Sequence, residues 1–220
     1  MKYSFPIIKT IDDVLPHIDG REEFIVAERE FGTVINYVVA MADTFDMAGP
    51  DDHGGAVRRE CRGLIFDREG KIMSRPFHKF FNVNEREETQ THEIDMSQSH
   101  VVMEKMDGSM IRPILVDGLL RLATKMGVTE VAMQAEAWLA KRTHAEHMKQ
   151  WLRWCIDTDV TPIFEWVSPF NQIVIAYEQS DLVLLAIRDN ETGEYHMPDA
   201  CPFNIVPTYG SMDGNILEYI

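Results

Sequence analysis

Cysteine, positive charge and long apolar runs are all scarce in this sequence, and each shortage excludes something. The three cysteines, Cys61, Cys155 and Cys201, are an odd and scattered set. No pair has the spacing of metal ligands, so reduced thiols in a cytoplasmic protein are expected. No apolar run approaches the roughly 20 residues that a membrane-spanning helix needs. The opening MKYSFPIIKTIDD lacks the apolar stretch and small-residue site of a secretory signal, and no membrane partner is expected. Lysine and arginine number 21 against 36 carboxylates, a formal charge of -15. A protein working through a broad basic surface on nucleic acid would not have this balance. Any phosphate-bearing ligand must be met locally, by a few cations inside a cleft, because the overall field opposes a polyanion.

What is present is enough for a packed core. Hydrophobic residues make up 45% and aromatics 10% of 220 residues, which suits one good-sized domain. Residues 1–220 are read as a single domain without repeats or a long linker. Thr10-Ile11-Asp12-Asp13 resembles a capping box and predicts a short helix near residues 11 to 18. Gly32 to Met41 reads as a β-branched strand, and residues 42 to 57, with Gly-Pro, paired aspartates and Gly-Gly, read as a loop. Strands are predicted at Arg62 to Phe66, Lys71 to Phe77, Val101 to Lys105, Met110 to Val116 and Leu119 to Thr124. The last two are joined by Asp117-Gly118, a strong hairpin signal. Met148, Trp151, Leu152 and Cys155 share one helix face, so Thr129 to Cys155 should hold two helices or one bent one. Strands return at Pro162 to Val167, Gln172 to Tyr177 and Leu182 to Arg188. Strands, then helices, then strands, with hairpins dominating, predict an α+β fold with mainly antiparallel sheets.

Five stretches could carry chemistry. Glu104-Lys105-Met106-Asp107-Gly108-Ser109 places a lysine just before turn residues, where glycine tolerates unusual backbone and Asp and Ser bond nearby amides. Arg62-Gly63 opens a strand. Lys79-Phe80-Phe81-Asn82 and Thr124-Lys125-Met126-Gly127 each lie at a strand end. Phe164-Glu165-Trp166-Val167-Ser168-Pro169 puts a carboxylate opposite two aromatics on a strand. Taken singly, the cations read as solvated surface charges, the usual fate of lysine. Asp51-Asp52-His53 reads as plain loop, and His144 and His147 as surface residues.

Together the stretches resemble a known family, the ATP-dependent RNA ligases of the bacteriophage tRNA-repair type, among the covalent nucleotidyltransferases. Lys105-Met106-Asp107-Gly108-Ser109 looks like the family's K-x-D-G-S nucleophile motif. Arg62-Gly63-Leu64-Ile65-Phe66, Lys79-Phe80-Phe81-Asn82, and Phe164 to Pro169 with Asn171 and Ile173-Val174 resemble its other motifs, in order, from about residue 30 to 190. The resemblance implies a nucleotidyltransferase adenylation domain in which Lys105 attacks the α-phosphorus of ATP to give lysyl-AMP. It implies Glu165 on a ribose hydroxyl, and Arg62, Lys79 and Lys125 are the cations expected to lower the lysine's pKa and hold the triphosphate. Gly108 would let the backbone approach the nucleotide. Tyr37, Phe81 and Trp166 are the candidates for the adenine slot. Asp107 could orient the lysine, while its charge would raise the lysine's pKa. Lysine is almost wholly protonated at neutral pH, so Lys105 is expected to be shielded from water among cations. Mg²⁺ is the implied metal and RNA, with tRNA-like ends, the implied partner. The alternative reading is a non-catalytic nucleotide- or RNA-binding relative.

The resemblance also implies a later E-G-x-V strand and a K-x-K strand. Glu218-Tyr219-Ile220 is a conceivable start of the first without its glycine, and no lysine follows Lys149. The domain is therefore expected to be incomplete at its C-terminus, with the missing motifs on a longer chain or on a second polypeptide.

Overall fold

Among the described residues, period-two patterning with β-branched residues builds two antiparallel sheets, and four helices cover their outer faces. The computed structural model describes residues 4–211. Near the N-terminus Asp13 Oδ2 accepts the Thr10 backbone N–H at 2.8 Å, and a 3-10 turn at Ile11–Asp13 leads into the one-turn helix α1, Leu15–Ile18. Strands β1 (Phe24–Arg29) and β2 (Gly32–Tyr37) follow, then helix α2 (His53–Glu60), β3 (Arg62–Phe66) and β4 (Ile72–Ser74). The four strands pair in sequence order. The second sheet is built from β5 (Ser109–Val116) and β6 (Leu119–Ala123), then β7 (Val160–Val167), β8 (Asp181–Asp189) and β9 (Tyr195–His196) after two helices, α3 (Glu130–Ala140) and α4 (Ala145–Asp157). Its spatial order is β6-β5-β7-β8-β9. No described helix is long and apolar enough to cross a membrane.

Strand alternation decides the layers. Ile111, Phe164, Trp166 and Leu182 turn to the helix side, packing with Ala135, Leu139 and Leu152 of α3 and α4. The opposite face of β5 and β6 meets the first sheet through Ile114 and Ala123 against Phe31, Val34 and Ile65. Ile35, Leu64 and Phe66 face the other way, onto Ile18 and Val57 of α1 and α2. The order of layers is thus helices, sheet, sheet, helices.

A buried charge cluster ties the sheets together. Glu60, Arg75 and Arg188 are fully buried, with Arg188 bridging both carboxylate oxygens at 2.7 and 2.8 Å and Arg75 Nε at 3.2 Å. The remaining guanidinium donors find carbonyls: Pro6, Asn190 and Glu191 for Arg75, Gly193 and Pro76 for Arg188. Giving every guanidinium nitrogen an acceptor is what makes such a burial tolerable.

Several elements depart from the sequence reading. Residues 53 to 57 are helix, not loop: Asp52 Oδ1 caps α2 by accepting the Gly55 N–H at 2.9 Å. A Cβ on Gly55 would lie 2.8 Å from Met47 Cγ, so that glycine marks close packing rather than a turn. Strand β4 stops at Ser74 because the Arg75 N–H goes to Thr161 Oγ1 at 3.0 Å and Pro76 has no N–H. Val101 to Lys105 joins neither sheet: Met103 bridges Thr208, and backbone bonds of Val102 and Glu104 to residues 207–210 flank that bridge. Gln172 to Tyr177 is not a strand either: the Val174 and Ile175 N–H groups go to a side chain, Asp107, instead of a neighbouring strand. Strands β1 and β9 have no counterpart in the sequence reading, and β1 alternates poorly because it is an edge. The helical region is two helices. The expected strand at Glu218-Tyr219-Ile220 lies outside the described residues.

Candidate active site

The structure sorts the expected residues into two groups. The first surrounds the nucleophile loop. Lys105 follows the bridged segment 101–104, and Gly108 leads into β5. In the β5–β7 register Ser109 lies opposite Trp166 and Met110 opposite Glu165. Glu165 therefore faces the first sheet, on the side opposite Phe164 and Trp166. Its Oε1 accepts the Gly108 N–H at 2.9 Å. Gly108 is obligatory by contact: a Cβ there would stand 2.2 Å from the Trp166 carbonyl oxygen. Asp107 Oδ2 accepts two backbone N–H groups, from Val174 and Ile175, both at 2.6 Å. The Asp107 N–H donates to the Tyr177 hydroxyl at 3.0 Å, and Asn171 Nδ2 donates to Ser109 Oγ at 3.0 Å. Four bonds thus pin residues 171–177 to the lysine loop.

Charge in this group is uneven. Burial pushes the Glu165 carboxyl up to about 7, against the lowering effect of the Gly108 N–H and of Lys105; Asp107 adds to the rise. The Ile175 and Val174 amides hold Asp107 below its ordinary value, and Lys105 helps. Lys105 itself is exposed, contrary to the shielded lysine expected from the sequence. It follows a segment that pairs with residues 207–210 and joins neither sheet.

The second group lies at the ends of the first sheet. Arg62 opens β3, donates to the His78 carbonyl at 2.9 Å and stands 5.1 Å from the Phe80 ring. Gly63, at φ 105°, lets β3 approach the Lys125 turn; a Cβ would be 2.7 Å from Lys125 Cα. Lys125 Nζ lies 5.8 Å from the Tyr37 ring centre. Lys79 Nζ lies 4.8 Å from the Phe81 ring, which Arg59 and Arg86 also approach at 5.3 and 4.9 Å. Phe45, at 5.0 Å from Tyr37 and 6.5 Å from Phe81, holds the two aromatics in one cluster. Trp166 is not part of it. Its ring packs on Trp138 at 5.7 Å, on the helix side, which removes it from the adenine candidates. Among the described residues no hydrogen bond or ion pair links Lys105 to the second group; the β5–β6 hairpin carries the connection.

One feature unites the groups. Carboxylates outnumber cations by 15, yet none of Arg62, Lys79, Lys105 and Lys125 has a carboxylate oxygen within 4.0 Å among the described residues. The same holds for Lys141, Arg29, Arg58, Arg112 and Arg142 among the described residues, whereas Lys9, Lys71 and Lys149 each hold a carboxylate near 2.8–2.9 Å. Cations kept unpaired in an acidic protein are free to meet phosphate. No group of three or more His, Cys, Asp or Glu side chains is placed to hold a metal among the described residues.

Sequence reasoning missed Tyr177 and Arg112. Tyr177 gave no signal beyond ending a β-branched run. Arg112 did, as a lone charge inside the apolar strand Met110 to Val116.

Two antiparallel sheets packed face to face, with the lysine loop leading into β5, form a nucleotidyltransferase type of fold. The structure is similar to that of an archaeal ATP-dependent RNA ligase, with a TM-score of 0.51 at 13% identity over 89% of this chain and 49% of that one. A sequence model of the RNA ligase family matches residues 60–210, and the chain belongs to that family. It is 33% identical over 192 residues to a putative RNA ligase of Thermovibrio ammonificans, and 29% identical over 180 residues to RNA ligase 1 of bacteriophage TS2126. It is 33% identical over 162 residues to a putative bifunctional polynucleotide kinase/RNA ligase of Autographa californica nuclear polyhedrosis virus. These matches take in 87%, 75% and 66% of this chain. The chain spans 48%, 41% and 23% of those relatives, about half of their length or less.

Proposed function

We propose that this chain is the adenylyl-accepting part of an ATP-dependent RNA ligase, with Lys105 as the nucleophile. The observation that carries the reading is the RNA ligase family match over residues 60–210, with the Lys105 loop held beside Glu165 by the Gly108 N–H. In the step we assign, Lys105 Nζ attacks the α-phosphorus of ATP. A P–N bond forms, the P–O bond to pyrophosphate breaks, and the amine loses a proton to give lysyl-AMP. Because Lys105 is exposed, the bound nucleotide itself would have to desolvate it. Arg62, Lys79 and Lys125 would take the triphosphate and the charge on the pentavalent phosphorus. Tyr37 or Phe81 would take adenine, and ionised Glu165 a ribose hydroxyl, as an acceptor-only group can. A divalent ion would arrive as part of the nucleotide complex. The acceptor of the adenylate would be an RNA end, tRNA-like by resemblance, in a cytoplasmic setting. Further phosphate contacts would come from polypeptide beyond the residues matched here, on the same chain or a second one.

The test is retention of α-labelled ATP on denatured protein. Label should appear with the wild-type chain and be absent from Lys105→Ala. Arg62→Ala, Lys79→Ala and Lys125→Ala should each lower adduct formation on the order of tenfold or more. ATP binding by calorimetry without any adduct would replace this reading with a non-catalytic nucleotide-binding relative, which the exposure of Lys105 would suit.

A further inference from the structure

The molecule contains three fully buried arginines on sheet strands or their ends, and one of them is unlike the others. Arg75 and Arg188 share Glu60 and fill their remaining donors with carbonyls. Arg112, on β5, is fully buried but has no carboxylate partner. Its one acceptor is the Gly63 carbonyl, and its Nε and NH1 groups have no partner. The surroundings are apolar: Ile114 is two residues along the same face, and Ala123 lies directly opposite in the β5–β6 register. Burial pushes the guanidinium down to about 9.

Packing alone does not account for such a residue. An apolar side chain of similar volume would fill the space without the penalty of a buried, unpaired charge. What the charge does is hold Gly63. That residue is already in contact with the Lys125 backbone on its other side, where a Cβ would be 2.7 Å from Lys125 Cα and O. Arg62, one residue earlier, belongs to the first sheet, while Lys125 ends the hairpin of the second. Arg112 thus stands where Gly63 of the first sheet meets the Lys125 turn of the second.

We propose that Arg112 is a positioning residue, fixing the Arg62-Gly63 strand end against the Lys125 turn so that phosphate-binding cations from both sheets keep one spacing. The inference rests on the adenylyl-transfer reading for its consequence, but not for its geometry. Arg112 reaches no nucleotide; it acts through Gly63.

The experiment compares wild type with Arg112→Met, Arg112→Gln and Arg112→Lys in the full chain. Three quantities are read: the melting midpoint, the rate of adduct formation from α-labelled ATP, and amide hydrogen exchange at residues 62–64 and 125–127. For Arg112→Met the midpoint should stay level or rise, because a buried charge is removed. Adduct formation at saturating ATP should fall on the order of tenfold to a hundredfold, the size expected when reacting groups are displaced by about an ångström. Exchange at the two backbone segments should quicken. Arg112→Lys, which keeps one donor, should recover most of the rate. An Arg112→Met protein with wild-type adduct rate and wild-type exchange would overturn the proposal. If wild type forms no adduct, the functional reading fails and exchange alone decides: faster exchange at an unchanged midpoint sustains the positioning role, unchanged exchange removes it. Should Arg112→Met not fold, Arg112→Gln, whose shorter side chain should lose the Gly63 carbonyl, takes its place under the same criteria.

Discussion

Glu165 is the side chain through which neutral pH acts on this site. Its carboxyl sits up near 7 because burial disfavours the charge more than the Gly108 amide and Lys105 favour it. An acid raised in the folded state keeps its proton while the unfolded chain ionises. Stability then declines between the ordinary carboxylate value and about 7, and stays lower above it. Glu165→Gln keeps an oxygen for the Gly108 N–H and cannot ionise, so its melting midpoint should exceed that of wild type from neutral pH upward and converge with it in acid. Nucleotide binding should behave the opposite way. If the ionised form accepts a ribose hydroxyl, wild-type ATP affinity should rise through an inflection near 7 that calorimetry finds missing in Glu165→Gln. Gly108 offers a cleaner steric case. With 2.2 Å available to a Cβ from the Trp166 carbonyl, Gly108→Ala must push β5 from β7, and a loss of about 2–4 kcal/mol in denaturant unfolding is expected. Glycine in the K-x-D-G-S stretch was read as a point where the backbone approaches the nucleotide, and the close approach the structure shows is to the Trp166 carbonyl. The exposure of Lys105 was not legible, because whether a lysine at a loop mouth is covered depends on packing that no local pattern encodes.

At the scale of elements, the lysine loop and the segment after β7 behave as one unit. Asp107 accepts two amides that the sequence pattern would assign to a β-ladder, and Tyr177 and Asn171 add two more ties. This explains why Gln172 to Tyr177, with its strand-like Ile173-Val174-Ile175, is not a strand: its donors are spent on a side chain before a strand can reach them. Local pattern reports the propensity of a segment, not the partner that wins its amides. The same limit applies to residues 53 to 57, where the glycines that signalled a loop serve a tightly packed helix start. The hairpin through Asp117-Gly118, both at positive φ, and the two helices over residues 130–157 were legible because turn chemistry and helical period are local. The latch predicts a distinct phenotype. Asp107→Ala should free residues 171–177, seen as faster amide exchange at Val174 and Ile175, while β7 and β8 keep their protection. Because those amides hold Asp107 below its usual value, its contribution is present above the ordinary carboxylate range and is lost as pH falls through the lowered one.

Across the whole molecule, the buried Glu60 and the half-buried Glu165 pull the pH dependence of stability in opposite directions, and this separates scaffold from site. Burial alone would raise Glu60, but Arg188 and Arg75 outweigh it and hold the carboxyl low. Glu60 therefore stabilises the fold above the ordinary carboxylate range and loses that contribution as acid protonates it, the reverse of Glu165. The cluster joins the end of α2, the end of β4 and β8, so its loss is felt by both sheets at once. Glu60→Gln leaves two guanidiniums buried against a neutral amide and should cost about 3–5 kcal/mol at neutral pH. For a domain of this size that lowers the melting midpoint by roughly 6–20 °C. The acid limb of the stability profile should flatten in Glu60→Gln, while the neutral limb rises in Glu165→Gln. Scanning calorimetry of wild type and both variants from acid to mildly alkaline pH distinguishes them. A Glu60→Gln protein that retains the wild-type acid limb would show that the cluster is not what couples the sheets, and the cations of the site would then need another frame to hold them apart from the carboxylates around them.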